Sequence, residues 1–198
     1  MILSSSCAKG SFSQTNSDVE IAGPGVAVLS TVPMGTGSQS QLSVAGTAYA
    51  PGDMDGSPVR SATGALVDFG LGDAVNAAAS GKVCLIQRGT VDFATKVSNC
   101  QNSGGVAAVV YNNVAGGFGG TLGTTVTTIP SVTASDTDGA ALITQLDQNA
   151  TVAVAPWNYA YLDGTSMATP HVSAVAALVW SRNLNCTATQ LRPWRLAV

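Results

Sequence analysis

Apolar positions along this chain follow two rhythms. In the middle, "GALVDFG" (64–70), "GKVCLIQRG" (81–89), "GGVAAVVYNN" (104–113), "IPSVTAS" (129–135) and "ATVAVAP" (150–156) are short runs rich in β-branched residues, broken by Gly, Asn and Pro. Such runs predict strands. Two helical stretches interleave with them. "TVDFATKVSNCQNSGG" (90–105) sets Phe93, Val97 and Cys100 at i, i+4 and i+7 and ends in glycines suited to a C-cap. "SDTDGAALITQLDQ" opens with Ser135 three residues before Asp138, a capping box, and places Leu142, Ile143 and Leu146 on one face. Residues 11–33 predict a loop, a short strand, a turn at "GPG" and a second short strand. A shift to Gly, Ser and Thr at "MGTGSQSQL" marks a boundary near residues 34–40. After Pro156 the aromatic link "WNYAYLDG" leads into "GTSMATPHVSAVAALVW" (164–180), a helix with almost no polar face beyond Ser173. A helix apolar all round belongs inside a larger protein.

The expected fold class is therefore mixed α/β. A central unit of β-barrel or sandwich type with short helices spans 34–156, flanked by fragments at 1–33 and 157–198. Charged residues make up only 10% of the chain, and the net charge of -3 is scattered. No basic cluster suggests a nucleic-acid surface, and no run approaches the ~20 apolar residues of a membrane span. The opening "MILSSSCAKG" has neither a basic start nor a long apolar run. The export signal of a secreted parent is accordingly expected outside this chain. The four cysteines lack metal-type C-x-x-C spacing. A Cys84–Cys100 disulfide, fitting an oxidising compartment, is favoured over two buried thiols, and the partners of Cys7 and Cys186 stay open.

Candidate chemistry centres on "GTS". A serine hydroxyl needs a base to become a nucleophile, and a helix N-terminus offers backbone N–H groups to a developing oxyanion. Gly164 permits close approach of a substrate backbone, Thr165 can cap the helix, and Ser166 carries the hydroxyl. A plain capped helix explains the same residues. "GTSMATPHVSAVAAL" resembles the nucleophile motif of the subtilisin-like serine proteases, and "SFSQTNSDVEIAGPGVAVLSTVP" is similar to the segment preceding it. The stretches "GKVCLIQRGTVDFATKVSNCQNSGGVAAVVYNN" and "IPSVTAS" resemble an inserted protease-associated (PA) domain. The resemblance implies a partial serine endopeptidase with Ser166 as nucleophile, Pro170 and His171 as structural positions, and a PA unit that meets a polypeptide substrate or protein partner. The alternative is a non-catalytic PA binding module.

The departures matter equally. The family's catalytic Asp and His and its oxyanion Asn lie upstream of the segment matching residues 11–33, and the single histidine here is His171. That residue is five positions from Ser166, ~140° around and ~7.5 Å along one helix, out of reach of its hydroxyl. The lysines considered as bases, Lys9, Lys82 and Lys96, have no sequence reason to lie near Ser166. Asp163 is too close in a tight turn to orient a base. "MILSSSCAKG" and "RPWRLAV" depart from the family pattern, as a truncated or shifted reading frame would produce. No cofactor is expected. Asp53 and Asp55 in "PGDMDGS" resemble the start of a calcium loop without its glutamate, so a solvated turn is preferred. Asn149 and Asn185 head glycosylation sequons. Trp157, Tyr159 and Tyr161 alternate as in a strand and are expected to pack in a core or junction. The apolar helix is expected to drive homo-oligomer formation.

Overall fold

The computed structural model describes the chain except residues 1, 5–6, 11–12, 16, 18 and 192–198. The first residues of "SFSQT" and the whole of "RPWRLAV" thus lie outside the described residues. In chain order the elements begin with β1 (Ile2–Leu3), β2 (Gly23–Pro24) and β3 (Val28–Thr31). Then come β4 (Gly37–Val44), β5 (Thr47–Tyr49), β6 (Met54–Asp55), β7 (Arg60–Asp68) and β8 (Val83–Gln87). The helix α1 (Phe93–Asn102) leads to β9 (Ala107–Tyr111), β10 (Gly120–Thr121) and β11 (Ser131–Ala134). The chain continues through α2 (Asp136–Ile143), β12 (Asn149–Trp157), β13 (Tyr159–Leu162), α3 (Thr165–Arg182) and α4 (Ala188–Leu191). Residues 34–157 form one compact unit, and the described residues on both sides of it form another.

The middle unit is built on a seven-stranded mixed sheet in the order β11-β9-β8-β7-β12-β4-β5. Its parallel half, β7 through β11, is reached by crossovers, and β12 runs antiparallel to both β7 and β4. Strands β8 and β9 are buried on both faces, which is why "VCLI" and "AAVV" read as unbroken apolar runs. Val83 and Leu85 point into one core with Leu42, Val109, Val152 and Leu142 of α2. Cys84 and Ile86 point into the other, with Val97 and Cys100 of α1. The sheet therefore sits between its helices, in the expected α/β class, as a single open sheet ending at β11 and β5 and not as a closed barrel or a sandwich.

Both helices start and stop as their sequences dictate. Ser135 Oγ accepts from Asp138 N at 3.0 Å, and Asp92 Oδ1 accepts from Thr95 N at 2.8 Å. α1 ends with Gly104 N donating to Gln101 O and Gly105 N to Cys100 O, and Gly104 takes φ 79°. These are the paired bonds of a left-handed C-cap. The α2 face needs correction. The helix stops at Ile143, so Leu142 is buried, Ile143 is exposed, and only Leu146 joins it against the core. The composition change at 34–40 runs into the first half of β4, where Ser38, Gln39 and Gln41 are exposed while Leu42 and Val44 are buried.

Lys96 of α1 has no exposed surface. Its ammonium donates to Gln87 O at 2.9 Å and to Leu71 O, tying the loop after β7 to the end of β8. Burial holds its pKa below the usual lysine value, against smaller opposing effects of Asp73 and Asp92. Between the lowered native pKa and the ordinary 10.5, the unfolded chain binds more protons than the native one. Stability from this site therefore rises with pH through that alkaline window. Denaturant unfolding of the chain and of Lys96→Met at two pH values in the window should show their difference in stability growing in favour of Lys96 as pH increases. A constant difference contradicts the assignment.

Candidate active site

The flanking unit assembles the segment around Ser166 from short pieces. β1 pairs parallel with β2, and β3 pairs antiparallel with β13. The first of the two strands expected in 11–33 thus lies at Gly23–Pro24 itself, the turn expected at "GPG" falls after it, where Ala27 takes φ 51°, and the second follows as β3. Asp163 is the residue that holds this turn: its Oδ1 accepts from Ala27 N at 2.5 Å, and Gly164 N donates to Gly25 O at 2.8 Å. Sequence reasoning set Asp163 aside, and its role becomes visible only once residues 25–27 are brought beside it.

Gly164, not Thr165, is the N-cap of α3, and no side chain caps the helix. Thr165 is already helical, so its hydroxyl is not in the capping position the sequence suggested. Gly164 O receives Met167 N and Ala168 N at 3.1 and 3.2 Å. The N–H groups of Thr165 and Ser166 precede the first intrahelical acceptor and point out of the helix end. Ser166 is exposed, and among the described residues no hydrogen bond engages its hydroxyl. A hydroxyl beside two unspent N–H donors at a positive helix end can stabilise charge that develops on a carbonyl oxygen.

No described group completes a base for it. The imidazole of His171 lies against its own helix, with Nδ1 2.9 Å from Met167 O, where it donates because a carbonyl only accepts. Pro170 sits inside α3 and lacks the N–H that would otherwise bond Ser166 O. Around it, Thr169 Oγ1 donates to Thr165 O at 2.8 Å. Lys82 pairs with Asp147 at 3.9 Å and Lys96 is spent on carbonyls, both within the middle unit.

Close packing places α3. A Cβ on Gly25 would lie 2.4 Å from Ile2 Cγ2, 2.8 Å from Gly164 O and 3.0 Å from Ala168 Cβ. Ala168 is the one buried residue of α3 among those described. A shallow groove lined by Ile21, Gly23, Thr165, Ala168 and Val172 runs beside this contact. Gly25→Ala should therefore destabilise the flanking unit by about 1–3 kcal/mol through overpacking. Faster amide exchange at the start of α3, with the seven-stranded sheet unaffected, is the expected reading; unchanged protection contradicts it.

The remaining candidates separate by position. Tyr159 and Tyr161 are exposed on β13, 42% and 59%, which rules out core packing, one of the two alternatives expected for them. Val175, Leu178 and Trp180 of α3 are exposed as well. Asp53 Oδ1 accepts from Ser40 Oγ and Asp55 Oδ2 from Thr121 Oγ1, and no group of three metal-ligating side chains exists among the described residues. Asn149 begins β12 in an exposed position. No described helix is long and apolar enough to cross a membrane. In the middle unit, Cys84 and Cys100 form a disulfide, with Cα atoms 6.2 Å apart; Cys7 and Cys186 are unpaired.

Comparison with known proteins finds two families along the chain, with overlapping matches. The PA domain family model matches residues 44–142, half of the chain, and the subtilase family model matches 121–196. The chain is similar to a psychrophilic subtilisin-like protease from an Antarctic Pseudoalteromonas sp., with 34% identity and a TM-score of 0.59 over 97% of this chain and 50% of that one. An aminopeptidase from Aneurinibacillus sp. matches 68% of this chain and 34% of its own, with 29% identity and a TM-score of 0.56. The probable leucine aminopeptidase 2 of Aspergillus fumigatus is 37% identical over 130 residues, 62% of this chain and 26% of the relative. This chain thus spans half or less of the length of each of these relatives.

Proposed function

Because the chain belongs to the subtilase family and carries a PA domain, we propose that it is the nucleophile-bearing part of a subtilisin-like serine endopeptidase. In this reading Ser166 Oγ adds to the carbonyl carbon of a peptide bond, and its proton passes to a base and then to the departing amine. Water afterwards releases the acyl group. The Ser166 N–H is one oxyanion donor, and Gly164 and Thr165 form the turn that presents it. The base, its orienting carboxylate and the second donor come from sequence that this chain does not contain. The PA unit holds a polypeptide substrate or protein partner, and the parent is secreted, as its disulfide suits.

The observation that supports the reading most is Ser166, exposed and unengaged at the first turn of a helix whose sequence carries the subtilase motif. The aminopeptidase matches cover only part of this chain, 68% and 62%, whereas the match to the subtilisin-like protease covers 97% of it. A fluorophosphonate probe tests it on the chain supplemented with a subtilase segment that carries the missing base, carboxylate and second donor: labelling that vanishes in Ser166→Ala supports the reading. No labelling there favours the second reading, a binding module without catalysis. Exposure of Val175, Leu178 and Trp180 further supports self-association through α3. A strictly monomeric chain at high concentration, by light scattering, contradicts that part.

A further inference from the structure

Strand β7 is longer than its neighbour. It pairs with β12 along Arg60–Ala65, while β8 pairs with it only at Leu66–Asp68. Leu66 N donates to Gln148 O on the β12 side, and Phe69 N donates to Leu85 O on the β8 side. Backbone direction alternates along a strand, so the N–H and C=O groups of Ser61 and Thr63 face the β8 side, where no strand accompanies them. Among the described residues they have no partner there. An open edge normally lies at the border of a sheet. Here it belongs to an interior strand.

A groove runs along this open side, lined by Arg60, Ser61, Ala62, Gly105, Val106 and Ile129. Its wall is formed by the leads into β9 and β11. One end is closed: a Cβ on Gly64 would lie 2.7 Å from Gly81 O. The other end carries Arg60, whose Nη1 donates to Thr128 O at 2.9 Å and which has no carboxylate partner among the described residues. Exposed Val59 precedes the groove in the chain, and exposed Val126 precedes its Thr128 wall.

We propose that this groove receives an extended peptide of about four residues as an added strand on β7, about 13 Å long. The peptide runs antiparallel to β7 and ends in a carboxylate beside Arg60. The unpaired groups of Ser61, which lines the groove, and of Thr63, next to its closed end, supply the hydrogen bonds, which only an extended backbone can match at that spacing. Ala62, Val106 and Ile129 receive alternate apolar side chains. Arg60 retains guanidinium donors beyond the one on Thr128 and provides the complementary charge. This site rests on the reading of the middle unit as a polypeptide-binding PA unit and is independent of Ser166.

The test uses the full chain and an acetylated pentapeptide of alternating threonine and valine with a free terminal carboxylate. Hydrogen exchange should slow at the Ser61 and Thr63 amides on binding. N-methylation at alternate peptide positions should weaken binding at least about tenfold without any change to the protein. Amidation of the carboxylate should cost about tenfold, and Arg60→Gln should abolish that difference. Ser61→Pro removes only an outward N–H, which edge positions tolerate, and should block binding with the thermal midpoint retained. Casein-derived peptides that bind while leaving both amides unprotected overturn this groove but keep the PA unit as a polypeptide binder. If neither probe binds at millimolar concentration, both readings fail.

Discussion

Offered casein, the purified chain should release peptides no faster than its Ser166→Ala variant. The expectation follows from what surrounds the hydroxyl. Ser166 is exposed and among the described residues its hydroxyl makes no hydrogen bond, so none of them withdraws its proton. The single histidine is fixed to Met167 O on the same helix, and helix geometry keeps its ring ~140° and ~7.5 Å from Ser166. Asp163 is occupied with Ala27 N. What persists is the helix end with its unspent N–H groups, which can stabilise an oxyanion but cannot create a nucleophile. Loss of the base in a serine hydrolase removes about 10⁶-fold in kcat, and loss of one oxyanion donor about 10²–10³-fold. The residual rate should accordingly fall below detection in a casein assay, and His171→Ala should leave it unchanged. Casein cleavage by the unmodified chain that disappears in Ser166→Ala would overturn this, and a concurrent loss in His171→Ala would give the imidazole a role its position here denies.

The parts of this molecule that were readable in the sequence are those whose determinants are local. Ser135 and Asp138 specify the start of α2, Gly104 specifies the stop of α1, and the unbroken "VCLI" and "AAVV" runs specify strands buried on two faces. The errors arise where a partner distant in sequence decides. "GSQSQLSV" shows only a boundary by composition, and it becomes a strand because β12 supplies a ladder along its length. Thr165 looks like a cap by composition, but the Gly25 carbonyl holds Gly164 and moves the helix start to include Thr165. The alternation of Tyr159 and Tyr161 correctly implied a strand. Their exposure was invisible because it depends on what lies opposite β13. The groove beside β7 was likewise unreadable, since it results from a mismatch in strand length between 60–68 and 83–87.

Removing the Cys84–Cys100 disulfide should cost the middle unit more stability than any surface substitution, about 3 kcal/mol. The bridge spans 16 positions, a loop for which the entropy lost by the unfolded chain predicts roughly that amount. It joins the inner strand β8 to α1, and both residues are fully buried in one core. The Cys84→Ala, Cys100→Ala double variant leaves the pair of positions apolar but frees the loop, and its thermal midpoint should fall by on the order of 10 °C. Gly105 makes a second, independent approach to the same feature. A Cβ there would lie 2.4 Å from Cys100 Sγ and 2.9 Å from Cys84 Sγ. Gly105→Ala should thus destabilise the oxidised chain through crowding of the bridge, about 1–3 kcal/mol. In the double variant, where both sulfur atoms are gone, that penalty should shrink. A double-mutant cycle reads this coupling directly. If the midpoint of the unmodified chain does not drop on reduction, or if the cost of Gly105→Ala is the same with and without the cysteines, the bridge is not what secures α1 to the sheet. The expected result makes the stability of the PA unit depend on oxidation of this pair.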